Sequence, residues 1–155
     1  MKRYNITLKF EPVVNEDAVL DTARKLHNAE MVAAYMANAF DQYPEQEQVW
    51  VIILNRRGVP KGRQMITLGT QTESLAHPRE VYRAAVLGGA ESIIMVHNHP
   101  SGDPSPSSAD MQVTRYMREA GNALQIPLSD HVIIGTREAD PMGRGFYSFR
   151  EAGII

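Results

Sequence analysis

The spacing of apolar and polar residues changes period several times along this chain. Tyr4-Asn5-Ile6-Thr7-Leu8-Lys9-Phe10 alternates at period two and predicts a strand with Tyr4, Ile6, Leu8 and Phe10 on its apolar face, ended by Pro12. From Asn15 to about Phe40 the spacing is helical, in one helix or two, with Val19, Leu20, Ala23, Leu26, Met31, Ala34 and Met36 at the apolar positions. Glu47 to Asn55 predicts a strand. Its unbroken run Val49-Trp50-Val51-Ile52-Ile53-Leu54 implies burial on both faces. Asn55-Arg56-Arg57-Gly58 supplies a turn, and Lys61 to Leu68 returns as the hairpin partner. A polar loop from Gly69-Thr70 to Ala76 follows.

Pro78 suits the first position of a helix, where its missing N–H costs nothing. Val81, Tyr82, Ala85 and Val86 give that helix an apolar face, and Gly88-Gly89 stops it. His77, just before it, is placed to cap that helix or to approach the site, and reads first as structural. Ser92-Ile93-Ile94-Met95-Val96 has the length and β-branched content of a buried strand. The next stretch, His97 to Pro106, carries three prolines and a glycine and continues neither strand nor helix. Ser107 then opens a helix whose core stripe is Val113, Met117, Ala120 and Leu124, ended near Ile126-Pro127. Ser129 to Gly135 predicts a strand, Arg137 to Arg144 a loose polar segment, and Phe146 to Phe149 a short last strand. Strands and helices alternating around one hairpin predict an α/β chain, a mixed β-sheet flanked by helices.

Composition narrows the chemistry. The chain has 155 residues, enough for one domain with a sizeable core. We read residues 1–44 as an N-terminal strand and helical extension on a core spanning 45–155. Net charge is −2 and the pI is near 6.2, which gives no global basic footprint for nucleic acid. The local cluster Arg56, Arg57, Lys61 and Arg63 reads as a solvated hairpin tip. There is no cysteine, so a metal would have to use His, Asp, Glu or water. No apolar run is long enough to span a membrane and no signal-peptide pattern opens the chain, so the expectation is a cytoplasmic protein.

The candidate chemistry lies between Met95 and Asp110. In extended chain, alternate residues point the same way, so His97 and His99 face one side and Asn98 the other. Asp110 falls on the inward stripe of the following helix, where an unpartnered carboxylate is costly. Two imidazoles and a carboxylate converging on one point are three of the four ligands of a tetrahedral zinc site with its fourth position open. Each residue also has a plainer role: a polar strand end, or a first-turn helix charge. Ser107-x-x-Asp110 resembles a capping box. Capping explains the serine and the aspartate; it leaves the histidine pair unexplained.

His97-x-His99 followed by Ser107-x-x-Asp110 resembles the metalloprotease signature of the JAB/MPN (JAMM) superfamily. His99-Pro100-Ser101-Gly102-Asp103-Pro104 with Pro106-Ser107 resembles its RadC branch. So do Leu68-Gly69-Thr70, His77-Pro78-Arg79-Glu80-Val81, Asp130-His131-Val132-Ile133-Ile134-Gly135 and Tyr147-Ser148-Phe149, in order and spacing. The resemblance implies a cytidine-deaminase-like layout and one zinc ion per chain on His97, His99 and Asp110. It also implies a metallopeptidase or isopeptidase acting on a peptide or protein. Glu47 is then the proton shuttle, with Glu45 its nearby competitor, and Ser107 the hydrogen-bond donor to the oxyanion. A glutamate at a strand edge is by itself an ordinary solvated charge, so the Glu47 role comes from the resemblance. RadC proteins also carry a DNA-repair association, and many have an N-terminal helix-hairpin-helix module. No such glycine-punctuated hairpin is visible here, and the expectation is a short stand-alone RadC-like protein. Two alternatives stay open: a protein that binds or cleaves nucleic acid, and a non-catalytic metal-binding interaction module. Asp130 and His131, adjacent on a strand, face opposite sides and cannot both enter one site. His131 reads as structural, and Asp103 as at most a substrate contact.

Overall fold

The structure is a computed structural model that describes residues 24–69 and 76–155. The strand expected at Tyr4–Phe10, the N-terminal part of the expected helical stretch and the loop at 70–75 lie outside the described residues. Five strands form one mixed sheet: β1 (Gln48–Leu54), β2 (Pro60–Leu68), β3 (Ser92–Asn98), β4 (Leu128–Ile134) and β5 (Phe146–Ser148). Their order across the sheet is β2-β1-β3-β4-β5. Only β3 and β4 run parallel, and helix α3 (Ser108–Leu124) crosses between them, as a parallel pair requires.

Helices cover both faces. Helix α2 (Pro78–Leu87) and α3 pack on one face, where Val81, Tyr82, Ala85, Val113 and Met117 meet Val49, Val51, Ile93 and Met95. Helix α1 (Ala29–Tyr35) packs on the other, where Ala29, Val32 and Met36 meet Ile52, Ile94, Val96 and Val132. The central strands are buried on both sides, as their unbroken apolar runs require. The α/β class with a mixed, helix-flanked sheet is the observed architecture.

Several local expectations need correction. Helix α1 is only seven residues long and starts at the Asn28 cap, whose Oδ1 accepts from Met31 N–H at 2.9 Å. It ends at Tyr35, where Arg63 reaches across from β2. The guanidinium donates to Tyr35 carbonyl oxygen at 2.5 Å and to Asn38 Oδ1 at 2.7 Å, satisfying groups the helix end exposes. Val32, not Ala34, faces the core, since Ala34 is exposed. On α2, Val86 is 55% exposed and Ala84 takes the buried place. On α3, Leu124 is 49% exposed, and the buried line runs through Asp110, Thr114, Met117 and Gly121. Gly121 is there because Tyr82 fills the space beside it: a Cβ would meet Tyr82 Oη at 2.3 Å. That hydroxyl donates to Met117 carbonyl oxygen at 2.9 Å, and burial raises its pKa to about 12.

The hairpin cations are not one solvated patch. Lys61 Nζ donates to the carbonyls of Gly88 (2.7 Å) and Gly89 (3.1 Å), closing the C-terminal end of α2. Arg63 is held by α1. The 137–144 segment is ordered rather than loose. The Asp140 carboxylate accepts from the backbone N–H groups of Met142, Arg144 and Gly145, each at 2.8 Å.

Candidate metal centre

The site sits at the C-terminal end of β3. His97 is in the strand and His99 just beyond it, on the face that carries α2 and α3. Asp110 comes to them from the first turn of α3. Its position is set by a complete capping box. Ser107 Oγ accepts from Asp110 N–H at 3.1 Å, and Asp110 Oδ2 accepts from Ser107 N–H at 2.7 Å and from Ser107 Oγ–H at 2.6 Å. The cap and the inward carboxylate are therefore one device. Oδ2 is tied down, and Oδ1 keeps its lone pairs.

His97 Nε2, His99 Nε2 and the Asp110 carboxylate form a tight triangle. The two Nε2 atoms are 3.1 Å apart; His97 Nε2 lies 3.2 Å from Oδ1, and His99 Nε2 lies 3.5 Å from Oδ2. A tetrahedral ion with bonds of about 2.0–2.1 Å sets its donor atoms about 3.3–3.4 Å apart. The three residues each offer a ligand atom within 4.8 Å of the others, close to that spacing.

The hydrogen bonds fix which ring nitrogens carry protons. His99 Nδ1 faces the Asp103 carbonyl oxygen at 2.8 Å, an acceptor only, so in the neutral imidazole Nδ1 holds the proton and Nε2 keeps its lone pair. For His97 the logic runs through β4. Thr114 Oγ donates to the Asp110 carbonyl at 2.6 Å, the usual back-bond of a helical threonine. Its lone pair then accepts from His131 Nδ1–H at 2.6 Å. His131 Nε2 accepts from His97 Nδ1–H at 2.8 Å, so the His97 Nε2 lone pair also points into the triangle. Two lone pairs and a carboxylate repel unless a proton or a cation lies among them. The three residues are thus a group suited to hold a metal ion, and no second such group occurs among the described residues.

Electrostatics agree. Burial pushes the Asp110 carboxyl up, but His97, His99 and Ser107 together hold it far below the ordinary carboxylate range. Burial disfavours the His99 imidazolium. Asp110, the Asp103 carbonyl and the charge of Glu47 outweigh that and raise its pKa. Full burial, reinforced by His97, keeps His131 neutral, well below its usual value.

Glu47 lies one residue before β1. Strands β1 and β3 are antiparallel, with Val49 opposite His97 and Trp50 opposite Val96. Two residues further along that register, Glu47 falls opposite His99, on the same face. Asn98, whose side chain turns to the other face, grips the chain on both sides of Glu47. Its Oδ1 accepts from Gln48 N–H at 2.7 Å, and its Nδ2 donates to Gln46 carbonyl oxygen at 3.1 Å. The Glu47 carbonyl accepts from Gly69 N–H at 2.8 Å.

The match to known proteins decides the family. The model of the "RadC-like JAB domain" covers residues 26–154. The chain belongs to the RadC-like JAB domain family. A UPF0758 protein of Chlorobaculum parvum is 41% identical over 132 residues, 85% of this chain and 56% of that one. One of Chlorobaculum tepidum is 39% identical over 147 residues, 89% of this chain and 63% of that one. One of Thermotoga maritima is 44% identical over 113 residues, 73% of this chain and 48% of that one. The chain thus spans roughly half to two thirds of the length of these curated relatives.

Within this RadC-like JAB domain, the residues singled out from the sequence fall out differently. His97, His99 and Asp110 converge, Ser107 caps α3 beside them, and Glu47 takes the facing position. His77 is the N-cap of α2 and makes no capping bond with its side chain. Asp103 orients His99 through its backbone carbonyl, while its carboxylate accepts from Ser105 N–H at 2.9 Å. Asp130 points away from the centre, accepting from Ser148 Oγ, Arg150 N–H and His131 N–H. His131 does more than fill space, since it backs His97. Thr114 carried no sequence signal beyond its place four residues after Asp110. No described helix is long and apolar enough to cross a membrane.

Proposed function

We propose that this RadC-like JAB domain is a zinc-dependent hydrolase that cleaves an amide bond in a peptide or protein. What carries the reading is the cluster itself: His97, His99 and Asp110 each offer a ligand atom within 4.8 Å of the others, with Glu47 opposite His99 in the strand register. His97, His99 and Asp110 would hold the ion, and the nitrogen–oxygen set without thiolate suits zinc. When bound, zinc polarises a carbonyl and brings the pKa of a coordinated water toward ~7.

The chain's own residues supply the rest. Glu47 accepts a proton from the attacking water and hands it to the leaving amine. The Ser107 hydroxyl, whose proton rests on Asp110 Oδ2, rotates to donate to the tetrahedral oxyanion. Asn98 keeps Glu47 at its post without touching substrate.

The test is zinc content and peptide-library cleavage by the purified protein. We expect about one zinc per chain, lost in His97→Ala and Asp110→Ala. Glu47→Gln should keep the zinc and lose cleavage. Zinc content unchanged in both ligand variants would refute the metal centre. Cleavage by Glu47→Gln at the wild-type rate would refute the proton-shuttle role.

A further inference from the structure

We propose that Thr114 and His131 are positioning residues that close a ring of hydrogen bonds around the metal centre and lock His97 as an Nε2 ligand. The inference rests on the metal-centre reading above and says how that centre is built.

The ring starts and ends at Asp110. The Asp110 carboxylate reaches the centre directly. The Asp110 backbone carbonyl reaches it through Thr114 Oγ (2.6 Å), His131 Nδ1 (2.6 Å), His131 Nε2 and His97 Nδ1 (2.8 Å). With His131 a neutral imidazole, each link has one allowed direction. The carbonyl has no proton, so the threonine must donate to it and accept from the imidazole. That leaves His131 Nε2 as the acceptor and His97 Nδ1 as the donor. One helix residue therefore dictates both the position of its own carboxylate and the tautomer of a ligand on another strand.

The relay is built of rigid parts. Thr114, His131 and His97 are all buried. Met95 and His131 pair across β3 and β4, which sets His131 on the ligand face two residues before His97. Its ring stacks on Phe149, with centroids 4.5 Å apart and planes 7° from parallel. The His131 carbonyl accepts from Phe149 N–H at 3.0 Å, which ties the strand to the same aromatic. Turning the ring over would break its bonds to both Thr114 and His97, which holds its nitrogens in these roles. Outer partners of this kind, when removed, typically cost roughly 10–100-fold in metal affinity. The partner here is a second imidazole rather than a carboxylate, so it orients His97 without adding negative charge to the centre.

Three variants separate orientation from packing. Thr114→Val removes the hydroxyl at nearly constant volume, Thr114→Ser restores it, and His131→Phe keeps the stack on Phe149 without an acceptor. Zinc affinity is read by competition with a chromogenic chelator, and ligand geometry by the visible spectrum of the cobalt-loaded protein. The tautomer of His97 is read by long-range proton–nitrogen NMR of the metal-free wild type. We expect His97 protonated on Nδ1, and zinc affinity lowered roughly 10–100-fold with an altered cobalt spectrum in Thr114→Val and His131→Phe. Thr114→Ser should return to within a few-fold of wild type. A wild-type His97 protonated on Nε2, or Thr114→Val and His131→Phe binding zinc as tightly as wild type, would overturn the relay. If the wild type bound no divalent ion at all, the metal centre itself would fall, and the NMR result would still judge the ring of hydrogen bonds. That NMR result also stands if a variant fails to fold.

Discussion

The side-chain amide of Asn98 accepts the Gln48 backbone N–H at 2.7 Å, across the gap between the two strands that carry Glu47 and the histidine pair. The residue between the two histidines thus sets the height of the glutamate on the neighbouring strand. Asn98→Ala leaves a buried backbone donor at Gln48 and a half-buried acceptor at Gln46 without their partner. The expected cost is about 1–3 kcal/mol of stability. Zinc content should stay near wild type, because no ligand is touched, while any hydrolytic rate should fall with the loss of Glu47 registry. Chemical denaturation, metal analysis and a cleavage assay on the same preparation check the three parts.

Asp110 serves both the helix and the centre, and two substitutions divide those roles. Asp110→Ala removes the carboxylate from the capping box as well as from the triangle. His99→Ala removes a ligand and leaves the cap intact. In metal-free protein, Asp110→Ala should therefore be the less stable of the two, by on the order of 1 kcal/mol from the cap. Both should fail to retain zinc. Thermal melts after chelator treatment make the comparison.

Stability should respond to pH in opposite senses with and without metal. The folded-state pKa of His99 is raised above 6.5. A raised imidazole stabilises fully below its unfolded pKa, and that contribution is lost as pH rises through the folded value. Metal-free protein should thus lose stability as pH climbs from 6.5 through the His99 transition. Zinc needs both imidazoles deprotonated, so zinc-loaded protein should gain stability over the same interval. Melting temperatures across pH 6–8 for both forms, at about constant ionic strength, are the measurement. Parallel slopes would contradict the competition between proton and metal.

The loop that carries His99 is shut against the end of β4, and glycine makes this closure feasible. His99 N–H donates to Ile134 carbonyl oxygen at 2.9 Å, and Thr136 N–H donates to Gly102 carbonyl oxygen at 2.7 Å. A Cβ on Gly135 would meet that same Gly102 oxygen at 2.0 Å, backbone against backbone. Gly135→Ala should cost on the order of 1–3 kcal/mol. It should also weaken zinc binding, because the Asp103 carbonyl that orients His99 moves with the loop. Gly62→Ala serves as the control for a glycine substitution: like Gly135 it lies outside the left-handed region, and no atom lies within 4 Å of an added Cβ. It should leave zinc affinity unchanged.

Much of this was legible in the residues alone. Unbroken apolar runs at 49–54 and 93–96 announce strands covered on both faces, because only a doubly buried strand tolerates so little polarity. The histidine pair at i and i+2 puts both rings on one side by backbone geometry, and an aspartate on the inward stripe of the next helix has to have a partner. Local periodicity therefore determined the α/β class, the helix-flanked sheet and the three residues that meet. The stop of α1 and the inward face of α3 were not legible. Arg63 from a distant strand caps the end of α1, and Tyr82 from α2 sets which α3 residues face inward.

What tertiary structure alone decided is the direction of the protons. Thr114 and His131 are separated by 17 positions, and nothing local marks them as one unit. Only the parallel pairing of β3 with β4, with α3 crossing between them, brings that hydroxyl and that imidazole behind His97. Hydrogen-bond donors and acceptors lock into one pattern only when every partner in the chain is in place. The sequence by itself determined which residues gather at the centre, through spacing along each element. The packing of separate elements decided which way their lone pairs face.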